Sequence, residues 1–150
     1  MRFFLQHKFS QSTQRKKTIL EKVEAAYALC QKAYDGHHRE ITLYEQTYTR
    51  DTVTYLHKRK HPGQDVSDLK MLIRCYFPAI ESALEELDLS HKVLKKKFAL
   101  FDAASLQAQQ HESDSHIQEV NNLRRDLERF GHACNVIKLC LTDQAKKTAT

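Results

Sequence analysis

The apolar residues in the last third of the chain recur every three or four positions, and this repeat constrains the fold more than any other feature. A spacing of three and four places such side chains on one face of an α-helix, which a neighbouring helix must cover. We therefore predict a helix near 115–145 that packs along its length. The repeat consists of Ile117, Val120, Leu123, Leu127, Phe130, Cys134, Ile137 and Leu141.

Shorter stretches of the same spacing occupy the rest of the chain, which has only 3 Gly and 2 Pro. A scarcity of turn residues argues against a β-sandwich. We predict an all-α fold, an elongated antiparallel helical bundle of four or five helices with coiled-coil-like packing, as a single domain over 1–150. Gly36 is the expected end of the first helix, with one long helix bent at Gly36 as the alternative. The helices are expected near 13–35, 38–60, 65–77, 79–110 and 115–145.

The net charge of +5 arises from the N-terminal segment, because residues 1–20 hold five basic residues and no acidic one. Phe3, Phe4, Leu5 and Phe9 are interleaved with these cations. Transit peptides and membrane-surface segments share this composition, but we expect the apolar residues of segment 1–12 to dock on the bundle. The candidate anion-binding residues in this region are Arg2, Lys8, Arg15, Lys16 and Lys17.

A second basic stretch, "TYLHKRKHPGQDVSD", covers residues 54–68. Its cations suit the last turn of a helix, and Pro62-Gly63 prevents continuation of that helix. Lys58, Arg59 and Lys60 are candidate anion-binding residues. His57 and His61 are four residues apart and would share a helical face, as two metal ligands can. The three cations between them oppose a bound metal ion, so we assign no metal site.

Two surfaces are predicted to bind a partner. A stripe of Tyr44, Tyr48 and Tyr55 on the second helix combines apolar rings with hydroxyl groups, which suits the edge of the core or a contact with another chain. The second surface is a basic strip on the fourth helix that suits an acidic partner, although a solvated face explains it equally simply. The strip consists of Lys92, Lys95, Lys96 and Lys97.

Histidines occur at two further places where a chemical role can be considered. His91 lies on a helix with lysines beyond it, which resembles the phosphorylated histidine of four-helix phosphotransfer domains. Those domains follow the histidine with Leu-Lys-Gly, whereas this chain has Leu94-Lys95-Lys96. The polar stretch that contains His111, Asp114 and His116 is interpreted as a surface turn before the last helix.

Several functional classes lack sequence support. The 4 cysteines form no C-x-x-C pair, so we predict free thiols and a cytoplasmic location rather than a disulfide framework or a zinc ribbon. No run approaches the roughly 20 apolar residues that span a bilayer. Glycine-rich phosphate loops and hydrolase motifs are missing as well. We expect no enzyme activity, no cofactor and no small-molecule substrate.

The predicted outline of two long arms around a turn, with Tyr44, Tyr48 and Phe77 placed along it, resembles the small coiled-coil proteins of bacterial flagellar and type III export. Pro78 and the apolar C-terminal helix depart from that pattern. The resemblance implies docking within a secretion apparatus, as a stalk subunit or an export chaperone. The broader prediction is a non-catalytic module that binds proteins, itself included. Nucleic-acid or anionic-membrane binding through the basic segments and histidine phosphotransfer are the alternatives.

Overall fold

A computed structural model describes the backbone of residues 2–48, 50–105 and 113–149, and the side chains of 10–48, 50–51, 53–103 and 116–149. Helices account for nearly all of this backbone, and the described ranges contain no strand. The predicted all-α bundle is therefore confirmed. Its elements are α1 (Arg2–Thr47), α2 (Thr52–Lys58), α3 (Gly63–Tyr76), a 3₁₀ helix (Pro78–Ala83), α4 (Leu84–Ser105) and α5 (Ser113–Ala149).

Four of the helices run alternately up and down. Gly36 of α1 lies against Pro62, and Lys22 lies over the ring of Tyr76, so α3 is antiparallel to α1. The hydrogen bond from Tyr44 to Glu119 and the contact of Cys134 with Cys30 make α5 antiparallel to α1 as well.

Helix α4 completes this arrangement. Glu86 pairs with Arg129, and Lys97 pairs with Asp126, so α4 is antiparallel to α5. Helices α1 and α4 therefore run in the same direction and face each other across the core. Among the described helices, none has a segment that is long and apolar enough to cross a membrane.

The predicted helix end at Gly36 is wrong, because α1 continues through this residue to Thr47. A Cβ atom at Gly36 would lie 2.7 Å from Cβ of Pro62, so the glycine serves a close approach between segments and not a helix cap. Helix α1 ends instead at Thr47, and Asp51 accepts a hydrogen bond from the backbone of Thr54 and caps α2. The predicted helix over 38–60 is thus divided between α1 and α2.

The apolar repeat of α5 forms one wall of the core, as predicted, from Val120 to Leu141. Each of its members in that range is buried. Ile117 is the exception, with 59% of its surface exposed, while His116 beside it is buried. His116, and not Ile117, is the first described side chain of α5 that faces the core. The buried repeat is therefore His116, Val120, Leu123 and onward at the same spacing.

The start of the first helix also differs, because α1 begins at Arg2 and includes most of segment 1–12, which was predicted to precede it. The side chains of Phe3, Phe4, Leu5 and Phe9, expected to dock on the bundle, lie outside the described part of the chain.

The remaining boundaries differ from the prediction by a few residues. The expected helix over 79–110 begins as the 3₁₀ helix, with Pro78 at a first-turn position where no amide hydrogen is needed, and continues as α4. Residues 106–112, which include His111, and the side chain of Asp114 lie outside the described part of the chain. Helix α5 continues beyond the predicted residue 145 to Ala149.

Candidate functional site

Three histidines and one glutamate meet in the interior of the bundle. His37 and Glu40 lie on α1, His61 lies between α2 and α3, and His91 lies on α4. The ring centroids are 5.3 Å apart for His37 and His61, 5.2 Å for His37 and His91, and 5.1 Å for His61 and His91. His37 is 0% exposed and Glu40 is 2% exposed. We refer to these four residues as the histidine–glutamate cluster.

Local sequence explains how the cluster is assembled. His37 and Glu40 are three residues apart on α1, so both side chains project from the same helical face. Gly36, one residue earlier, allows Pro62 to pack directly on α1. Because His61 precedes Pro62, this contact places the ring of His61 beside the face of α1 that carries His37 and Glu40.

The carboxylate of Glu40 lies close to both His37 and His61. Its Oε1 atom lies 3.3 Å from Nδ1 of His61 and 3.9 Å from Nδ1 of His37. Its Oε2 atom lies 3.8 Å from Nε of Arg59. A separate hydrogen bond of 3.0 Å joins Nε2 of His37 to Nδ1 of His91, so one ring donates and the other accepts.

Burial and charge fix the protonation of the cluster. Burial lowers the pKa of His37, against the opposing effect of Glu40. Burial, followed by the neighbouring charges of His37 and His61, lowers the pKa of His91 to about 4. Burial alone would raise the pKa of Glu40, but its polar contacts with His37 and His61 outweigh that effect and lower the pKa. At neutral pH the cluster therefore presents neutral imidazoles, at His37 and His91, beside a carboxylate.

Several polar atoms of the cluster are buried without a hydrogen-bond partner among the described residues. They are Nδ1 of His37, Oε2 of Glu40 and Nε2 of His61. Buried polar atoms in native proteins are nearly always satisfied, and three unsatisfied atoms within one cluster are unusual. A cation at Nδ1 of His37 would satisfy that atom, and water beside Oε2 of Glu40 and Nε2 of His61 would satisfy the other two.

The cluster has one apolar side and one open side. The ring of Phe130 packs edge-on against His37 with centroids 4.7 Å apart. On the other side, Glu40 and His61 line a cleft of about 470 Å³. The side chain of His61 is 18% exposed, so it can be reached from this cleft.

The tyrosines assigned to a partner-binding stripe occupy a different place from the one predicted. Tyr44, Tyr48 and Tyr55 are each 0% exposed. The hydroxyl of Tyr44 donates to Glu119, and that of Tyr48 donates to the carbonyl of Phe101 at 3.0 Å. Because the hydroxyls of Tyr44 and Tyr48 find partners inside the bundle, these rings form core and not a docking surface.

The basic strip of α4 is divided between paired and exposed residues. Lys92 lies 2.9 Å from Asp88, and Lys97 lies 2.5 Å from Asp126 of α5. Lys95 and Lys96 are exposed. The pair of Lys92 lies within α4, whereas the pair of Lys97 joins α4 to α5, so one member of the strip also holds two helices together.

The candidate anion-binding residues are distributed over two regions. Arg15, Lys16 and Lys17 are exposed on α1, whereas the side chains of Arg2 and Lys8 lie outside the described residues. Lys58 and Lys60 line the cleft beside the cluster. Arg59 between them instead turns inward and pairs with Asp102.

Only parts of the cluster were predicted from the sequence. His61 was paired with His57, but His57 is exposed on α2, while His61 lies beyond the end of that helix. His91 was compared with a phosphate acceptor, whereas this ring is 7% exposed and hydrogen-bonded to His37. His37 and Glu40 were not predicted, and the available signal was a histidine and a glutamate three residues apart on the buried face of α1.

No known protein family matches the chain, and neither a curated protein nor a solved structure is detectably similar to it. The function is therefore argued from the geometry of the cluster.

Proposed function

We propose that the chain binds a divalent transition-metal ion of the zinc class through His37, Glu40 and His61. The observation that carries the proposal is the convergence of two imidazoles and one carboxylate, with one ligand atom from each residue within 4.8 Å of the others. Imidazole nitrogen and carboxylate oxygen are common ligands of Zn²⁺ and of its neighbours in the first transition series.

The spacing of the ligand atoms supports this proposal. Zinc lies about 2.0 to 2.1 Å from nitrogen and oxygen ligands, so two ligands of a tetrahedral site are about 3.4 Å apart. The distance from Glu40 Oε1 to His61 Nδ1 is 3.3 Å, and that to His37 Nδ1 is 3.9 Å. All three ligand atoms lie within 4.8 Å of one another, so the widest pair would have to close by at most about 1.4 Å to reach the tetrahedral separation.

The surroundings of the ligands fit the same proposal. A metal-binding histidine commonly uses its second nitrogen for a hydrogen bond that fixes the orientation of the ring, and His37 makes such a bond to His91. Because metal ligands must be deprotonated, neutral His37 and ionised Glu40 are already in the binding form. Three protein ligands leave a fourth position open.

Replacing a ligand tests the proposal directly. We expect the full chain to bind one equivalent of Zn²⁺ in isothermal titration calorimetry, and His37→Ala and Glu40→Gln to weaken binding by at least tenfold. His38→Ala is the matched control, since His38 is adjacent in sequence but exposed. Zinc at about 100 times its Kd should also stabilise the wild type by about 2.7 kcal/mol.

Two results would contradict metal binding at this cluster. One is a wild-type chain that binds no Zn²⁺, Co²⁺ or Ni²⁺ at neutral pH. The other is binding that His38→Ala weakens as much as His37→Ala does, which would place the ion on surface histidines. Circular dichroism of each variant separates loss of a ligand from loss of the fold.

A second candidate function, binding of an acidic protein partner, is supported by the outer face of α4. Leu89 is 47% exposed and Leu100 is 60% exposed, and the lysines Lys92 and Lys96 lie between them on this helix. Exposed apolar residues beside cations suit an amphipathic acidic helix. This second candidate function includes the role of an adaptor between proteins. The free thiols of Cys30 and Cys134 are consistent with the predicted cytoplasmic location.

A photo-crosslinking amino acid placed at position 100 tests the second candidate. We expect a discrete crosslinked product in native lysate that Lys95→Glu/Lys96→Glu abolishes, because reversal of charge repels an acidic partner. The same amino acid at position 71, where Met71 is also exposed, serves as the control. Identical products from both positions would argue against a docking surface on α4.

A further inference from the structure

The cleft beside the histidine–glutamate cluster reaches the atoms that would hold the metal ion. Both Glu40 and His61 line it, so its floor coincides with two of the three proposed ligands. At about 470 Å³ the cleft is within the usual range for a small-molecule site. Phe130 packs against His37 and is not among the residues that line the cleft, so an ion on these ligands would have its open position on the cleft side.

The walls of the cleft carry an excess of positive charge. Arg39, Lys58 and Lys60 line it, against the carboxylates of Glu40 and Asp65. A divalent ion on the floor would more than neutralise Glu40 and would raise the local charge further. The cleft would then attract anions.

The N-terminus of α3 adds to the positive electrostatic potential at the cleft. Helix α3 has 14 residues and begins at Gly63, directly after Pro62 of the cleft wall. Pro62 occupies the cap position and provides no side-chain hydrogen bond to the first turn. The partial positive charge of a helix N-terminus therefore lies at the same edge as Lys58 and Lys60.

We propose that a small oxyanion, a carboxylate or a phosphate, enters this cleft and binds the metal ion at its open position. The inference rests on the proposed metal site. One oxygen atom of the anion ligates the ion, and Lys58 and Lys60 pair with the remaining oxygens. Each such charged hydrogen bond contributes about tenfold to affinity when it is formed in a partly enclosed site.

Cobalt-loaded protein provides the test. Co²⁺ accepts the same nitrogen and oxygen ligands as Zn²⁺, and its visible absorption changes when a ligand is exchanged. Inorganic phosphate, and separately acetate, is titrated into the Co²⁺ complex of the full chain. We expect a saturable spectral change with at least one of the two, and about a tenfold or greater loss of anion affinity in Lys58→Gln/Lys60→Gln.

The outcomes distinguish the two proposals. Lys95→Gln/Lys96→Gln removes two exposed lysines from α4 and should leave anion affinity unchanged. If Co²⁺ binds but neither anion changes its spectrum, or if both double variants respond like the wild type, the oxyanion inference is overturned while the metal site stands. If Co²⁺ does not bind in a manner that depends on His37, both proposals fail.

Discussion

Glu40 is the residue on which the electrostatics of the interior depend. Its carboxylate is 2% exposed, and its nearest formal positive charge among the described residues is Arg59, at 3.8 Å. Arg59 is itself paired more closely with Asp102. Burial penalises this carboxylate, but its contacts with His37 and His61 outweigh the penalty and lower its pKa, so Glu40 stays ionised inside the metal-free bundle. The same buried negative charge would provide affinity for a divalent cation.

Asp88 of α4 provides a pH-dependent contribution to stability that is separate from the cluster. Hydrogen bonds from Lys70 and then Lys92 lower its pKa to about 2, from 3.8. Between these values the folded chain binds fewer protons than the unfolded chain. The stabilisation is therefore complete above pH 3.8 and is lost as the pH falls through 2.

We predict that Asp88→Asn lowers the free energy of unfolding at neutral pH by about 1 kcal/mol, because the two ion pairs are partly exposed and screened. The difference from the wild type should shrink as the pH falls below 3.8, should be partly retained at pH 2, and should disappear only below pH 2. Urea unfolding followed by circular dichroism measures both effects. Asp143→Asn, at an exposed position of α5, should change neither. A deficit at pH 2 as large as that at neutral pH would show that the role of Asp88 is not electrostatic.

At the scale of elements, the contact between α1 and the start of α3 depends on Gly36. A Cβ atom here would lie 2.7 Å from Cβ of Pro62, which is buried and held by its ring. Overpacking of this kind costs about 1 to 3 kcal/mol, while alanine in a helix gains about 1 kcal/mol over glycine. We predict that Gly36→Ala weakens zinc binding by about tenfold in calorimetry, because the shift of Pro62 moves His61 away from Glu40.

Gly131 of α5 is the matched control for this substitution. A Cβ atom there would lie 2.8 Å from Cε2 of Tyr34, whose ring is partly exposed and able to rotate away. Gly131→Ala should therefore leave zinc affinity unchanged and should not lower the free energy of unfolding. Equal zinc affinity in Gly36→Ala and the wild type would show that the contact with Pro62 does not position His61.

The helices that were easiest to predict are those with an uninterrupted apolar face. Val120 to Leu141 identified α5 because helix packing depends directly on spacing along the chain. The continuity of α1 was missed, since glycine favours a helix end locally, whereas here the tertiary contact with Pro62 determines its role. The burial of Tyr44 was missed for a related reason, because its hydroxyl partner, Glu119, is 75 residues away in sequence.

For the molecule as a whole, the alternation of helix directions creates the site. His37 and His91 are 54 residues apart and meet only because α1 and α4 face each other across the core. Glu40 and His61 are 21 residues apart and meet only because α3 returns along α1. Spacing rules that find ligands on one helix cannot find a set divided between two segments that are distant in sequence. This explains why His57, and not His37, was predicted as the neighbour of His61.

The contact between His37 and His91 also joins the prototropic states of two helices. A cation bound to Nδ1 of His37 would leave the ring proton of that residue on Nε2, from which it would be donated to Nδ1 of His91. His91 would then carry its own proton on Nε2. Metal binding at α1 would thereby fix the tautomer of a ring on α4 that is not itself a proposed ligand.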